Sequence, residues 1–176
     1  MNMKLNRRSM LAALLSATAA LALSGPAHAA DAALPATLLA DKAPKGAVSV
    51  AKARETAQAG EAIVLRGKIG GRAVALTPKT AIAVLADETA LKPCNAIPGD
   101  ACVTPWDYCC ESPEKLKAST ATIQVRGSDG KIVRTTLRGL GHLKELSTVV
   151  ISGTVDAASN KDILIVNATS VYVEKP

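Results

Sequence analysis

The segments IVLRGKI (63–69) and VVISGTV (149–155) share one form: an apolar residue at every second position, with a glycine standing in for the third of the four. Alternation with a period of two marks a half-buried strand, because successive side chains face opposite sides of the sheet. Glycine weakens a strand interior, so Gly67 and Gly153 mark a bulge or a sharp bend. A small closed barrel needs such bends at its corners. A β-sandwich would give nearly the same alternation, and the two interior glycines favour the barrel.

Further strand signals lie between and beyond these two segments. TAIAVLAD (80–87) is a short apolar run. ATIQVRG (121–127) and KIVRTTLRG (131–139) flank Ser128-Asp129-Gly130, and Asp-Gly between alternating runs predicts a hairpin. LGHLKELS (140–147) places Leu140, Leu143 and Leu146 on one side of a short helical turn. DILIVNATSVYV (162–173) follows, after the turn-forming AASNK (157–161). The predicted order is strand, strand, long loop, hairpin, helical turn, strand, strand. It resembles the OB-fold, a five-stranded Greek-key barrel. The resemblance implies a mainly β domain, with its barrel formed by residues 62–87 and 121–173. It also implies a ligand face for oligonucleotides, oligosaccharides or proteins, with the choice among them left open.

The N-terminal 30 residues read as a segment apart from the fold. Lys4, Arg7 and Arg8 precede the apolar run LAALLSATAALAL, and SGPAHAA offers small residues for cleavage. The adjacent arginines resemble a twin-arginine export signal, although Asn6 and Ala12 depart from its usual residues. The expected location is the bacterial periplasm or exterior, without stable membrane insertion after cleavage. Loss of this segment lowers the excess of basic over acidic side chains from six to three, too little to argue for nucleic acid or an anionic membrane. Residues 31–47 mix Pro, Ala and Lys without periodicity and read as a flexible leader. The domain is expected over 48–176. Within it, SVAKARETAQAG (49–60) predicts a helix capped by Ser49, stopped by Gly60, and apolar only at Val50, Ala53 and Ala57.

Residues 88–120 interrupt the strand pattern and collect the scarce residues. CVTPWDYCC (102–110) holds three of the four cysteines, the single tryptophan and one of the two tyrosines. Together with GKIGGR (67–72) and LKPC (91–94), this stretch is similar to a group of exported bacterial proteins that carry the phrase TPWDYCC. That similarity implies the fold and the export, and it implies no activity. Loops of this length inside a compact domain are functional or stapled. Cys94, Cys102, Cys109 and Cys110 in an exported chain predict two disulfides, with Cys109 and Cys110 each joined to Cys94 or Cys102. Trp106 is the expected buried anchor of the loop, Tyr108 its exposed contact, and Asp107 their neighbour in a candidate ligand-binding patch.

Two function classes follow. The first is a non-catalytic binding module of the cell envelope, without cofactor, for a protein or glycan partner. Nucleic acid would be a poor ligand, since single strands are held by stacking on aromatics and the chain has no phenylalanine. The second is a metal or redox protein holding zinc, copper or an iron–sulfur cluster on Cys94, Cys102, Cys109 and Cys110. Spacing argues against it, because no Cys-x-x-Cys knuckle is present. No hydrolase motif accompanies His142, Asp87 and Glu88 form no carboxylate pair, and GKIGGR reads as a strand end rather than a phosphate loop.

Overall fold

The computed structural model describes residues 33–175; the expected export signal over 1–30 lies outside the described residues. Strands β2 (Ala62–Ile69), β3 (Ile82–Ala86), β4 (Thr120–Gln124), β5 (Thr148–Val155) and β6 (Ile165–Val173) form a closed barrel. The order around it is β2-β3-β4-β6-β5 and back to β2. All pairings are antiparallel except β4 with β6. This is the small closed barrel that the alternation and the interior glycines predict, in the strand order that the resemblance to the OB-fold implies. A two-residue strand β1 (Val48–Ser49) lies parallel to β2.

Both glycines stand where the barrel leaves no room for a side chain. A Cβ on Gly67 would come 2.5 Å from the Ala86 carbonyl oxygen, just before β2 takes up its pairing with β3. A Cβ on Gly153 would strike the Asn167 carbonyl oxygen. There the β5–β6 register slips, so that Thr169 is the extra residue of a bulge. The slip switches which parity of β6 faces inward: Val166 and Ala168 are buried on one side of it, Val171 on the other. Leu65, Ile69, Leu85, Ile123 and Ile151 fill the barrel and are fully buried. Each such side chain contributes about 1.5–3 kcal/mol by leaving water.

Helix α1 (Val50–Thr56) matches its sequence signal, with Ser49 Oγ accepting from the Lys52 amide at 3.2 Å. Val50 and Ala53 enter the core and Ala57 packs against it. The chain leaves the helix at Ala57, before Gly60. Leu140–His142 forms the expected helical turn, a 3-10 turn, with Leu143 buried after it and His142 exposed.

Three segments differ from expectation. Residues 33–47 are not a free leader from Leu34 onward. Leu38 is fully buried, and the chain bonds to β6 through Val171 N–H to Leu38 O (2.7 Å) and Ala40 N–H to Val171 O (2.9 Å). The predicted hairpin turns at Gly127–Lys131, but its second arm makes a single bridge, Arg126 to Ile132. Val133 then enters the core and its carbonyl accepts from Ala81 N–H, which draws that arm away from a longer ladder. The loop over 88–120 is also more regular than expected. It contains 3-10 turns at Cys94–Ala96 and Pro105–Asp107 and a helix α2 (Pro113–Ala118), capped by Ser112. Among the described residues, no helix is long and apolar enough to cross a membrane.

Candidate functional site

The loop is tied to the barrel at its start by Asp87. The carboxylate is fully buried and accepts four hydrogen bonds: from the amides of Ala51 (2.7 Å), Thr89 (2.8 Å) and Ala90 (3.0 Å), and from the Thr89 hydroxyl (2.7 Å). It thus joins the first turn of α1 to the loop entrance. Its neighbour Glu88 turns instead to Arg66, so the two carboxylates share no chemistry.

The middle of the loop rests on the end of β2. Gly71 N–H donates to the Trp106 carbonyl at 2.8 Å. Beneath it, Tyr108 is fully buried in a small apolar cluster with Ala86 and Leu91, flanked by Ala90 and Leu116. Trp106 is only partly buried; it packs against the main core and donates its indole N–H to Ala73 O at 3.0 Å. The expected role of Tyr108 is therefore reversed, while Trp106 packs against the core without being fully buried. Tyr108 is the anchor, and it cannot be the exposed contact. The cause is its backbone, which is left-handed at φ 57° and turns the side chain inward as the 3-10 turn ends. Such a conformation costs a bulky residue about 1–2 kcal/mol, which the burial of the ring offsets. Burial, with the Cys94 thiol nearby, pushes the Tyr108 hydroxyl up to about 12.

The same turn gathers the cysteines. Cys109 Sγ lies 3.6 Å from Cys94 Sγ and 3.7 Å from Cys102 Sγ. Asp107 joins them, its Oδ1 4.0 Å from Cys94 Sγ, and all four ligand atoms lie within 4.8 Å of one another. Cys110, next in sequence to Cys109, goes elsewhere: its thiol donates to Asp100 Oδ2 at 3.4 Å and lies within 4.8 Å of Cys94. The sulfurs lie near one another but not at disulfide distance, and among the described residues all four cysteines are unbridged. Cys94 is buried, Cys102 half-buried, and Cys109 and Cys110 are exposed.

Local hydrogen bonds fix this arrangement. Asp107 accepts from the Thr104 hydroxyl at 2.8 Å and from the Cys109 amide at 2.9 Å. Desolvation pushes the Asp107 carboxyl up, but these bonds outweigh it and hold the group below its ordinary range. The Thr104 amide, followed by its hydroxyl, draws the Cys102 thiol down, whereas hydrogen bonding to Cys94 and then to Cys102 pushes Cys109 up. Hydrogen bonding to Asp100 pushes Cys110 up.

Beside this cluster, the loop forms one wall of an open groove of about 640 Å³. Val84, Ala121 and Thr122 of β3 and β4 lie along the barrel side. Asp107, Leu116 and Lys117 of the loop face them, and Arg54, Arg72 and Ile163 complete the rim. Lys117 pairs with Asp162 at 2.5 Å. Among the described residues Arg72 is exposed and makes no ion pair. The sequence missed this surface because its residues come from six separated segments. Part of it was nonetheless visible, since Ser112-Pro113-Glu114 is a helix start and α2 supplies Leu116 and Lys117.

No family model, curated relative or solved structure matches the chain, so the site is read from its own geometry.

Proposed function

We propose that the chain is an exported, non-catalytic binding module of the cell envelope, and that its partner is an acidic, extended segment of another protein, held in the groove between the barrel and the cysteine loop. The observation that carries this reading is the groove itself. Its floor is apolar, from Val84 and Ala121, and its rim carries Arg54, Arg72 and Lys117 beside Asp107 and Asp162. Because Lys117 is paired with Asp162, the exposed Arg72 is the cation open to an acidic partner. Aliphatic floors suit alternate side chains of an extended peptide, and guanidinium groups suit its carboxylates. None of the lining residues is aromatic, which favours a peptide over a glycan, whose sugar rings bind by stacking on aromatic faces. The contact patch moves accordingly, from Trp106 and Tyr108 to Arg72.

The test is fluorescence anisotropy of a labelled Asp/Glu-rich peptide, with a Lys-rich peptide and a neutral oligosaccharide as controls. The acidic peptide binds, more weakly as salt rises, and Arg72→Glu weakens it about tenfold or more, as expected for the loss of one charge-assisted contact. Binding of the oligosaccharide instead, or acidic-peptide binding indifferent to Arg72→Glu, would overturn the reading.

A further inference from the structure

We infer that Cys94, Cys102, Cys109 and Asp107 form a tetrahedral site for a zinc ion. The inference goes beyond the groove, with which it shares Asp107, and does not rest on the groove's holding a peptide. In a tetrahedral thiolate centre with metal–sulfur bonds of about 2.3 Å, the sulfurs are about 3.8 Å apart. Two sulfur separations here, both from Cys109, are 3.6 and 3.7 Å. All four donor atoms already lie within 4.8 Å of one another, so small side-chain rotations bring them to one ion.

The missing Cys-x-x-Cys is explained by the turn. Asp107 and Cys109, two residues apart, provide the local chelating pair across the left-handed Tyr108. Cys94 and Cys102 come from outside it. Only one of the adjacent cysteines takes part, because Cys110 is directed to Asp100. Asp107 is braced as ligating carboxylates are, by the Thr104 hydroxyl on its other oxygen. A set of three sulfurs and one carboxylate oxygen in tetrahedral disposition suits zinc better than Cu(I), which prefers sulfur alone. Binding releases the three thiol protons to solvent and forms three zinc–sulfur bonds and one zinc–oxygen bond, with no change of oxidation state. The ion would then close the loop in place of disulfides.

The test is titration of the mature, metal-free protein with Co²⁺, followed by displacement with Zn²⁺. One equivalent should give intense visible bands of tetrahedral cobalt and ultraviolet sulfur-to-cobalt charge transfer, and zinc should erase both. Cys110→Ser should retain them, Cys109→Ser should lose them, and Thr104→Val should weaken binding about 10–100-fold. The wild-type spectrum reads the site even if a variant fails to fold. A pale octahedral spectrum, no binding, or equal loss in Cys110→Ser and Cys109→Ser would overturn the inference.

Discussion

Gly70 lies against the ring of Tyr108 so closely that a Cβ on it would come 2.7 Å from Cε2 and 2.8 Å from the Trp106 carbonyl oxygen. Neither neighbour is a flexible chain end, so the loop can dock on β2 only because this position is bare. Gly70→Ala should therefore lift the loop or strain the barrel, at about 1–3 kcal/mol. Thermal or denaturant unfolding measures the loss, and an unchanged midpoint would mean the loop does not sit on Gly70.

The buried Tyr108 separates two effects of one side chain. Tyr108→Ala should cost about 3–5 kcal/mol, the usual range for emptying a large aromatic site. Tyr108→Phe should be neutral or stabilising, because the hydroxyl is buried without a hydrogen-bond partner and an unpaired polar group carries a penalty of about 1–3 kcal/mol. Trp106→Phe loses the bond to Ala73 O and part of the ring's packing against the core, and should cost about 1–3 kcal/mol. Urea denaturation of the three variants checks the order, and a Tyr108→Phe protein much weaker than wild type would contradict it.

Asp87 should give the protein a specific weakness in acid. Desolvation pushes its carboxyl up. The Thr89 hydroxyl and the amides of Ala51, Thr89 and Ala90 more than reverse this, and the folded pKa lies below the ordinary value. Its contribution is thus fully present above the unfolded value near 3.9 and is lost as pH falls through the lower folded value. The wild-type melting temperature should drop between about pH 4 and pH 2, and Asp87→Asn, already less stable at pH 7, should show a flatter profile over that range. Parallel profiles for the two proteins would refute the assignment.

Much of the barrel was legible because burial on one face of a strand writes a period of two into the sequence. Gly67 and Gly153 were legible because only a steric reason keeps glycine inside such a strand. Ser49 announced α1 through its side-chain cap. The segment around Leu38 was not legible, since two backbone bonds to Val171 hold it and backbone bonds leave no residue pattern. Helix α2 was not read from the sequence, although Ser112-Pro113 is a helix start, because the stretch as a whole reads as a loop. The burial of Tyr108 turns on a single φ angle, which composition does not encode. Cysteine spacing likewise pointed away from a metal. What spacing does not show is that Cys94, Cys102, Cys109 and Asp107 come together, because they do so through a turn whose hand is set by Tyr108.

The most direct test of the account is a native mass spectrum of the mature protein, isolated from its own compartment without added reductant and paired with thiol counting after denaturation. The account predicts one zinc per chain and four alkylatable thiols. A metal-free chain lighter by four hydrogens, with no alkylatable thiol, would show two disulfides in place of the zinc site and would contradict it.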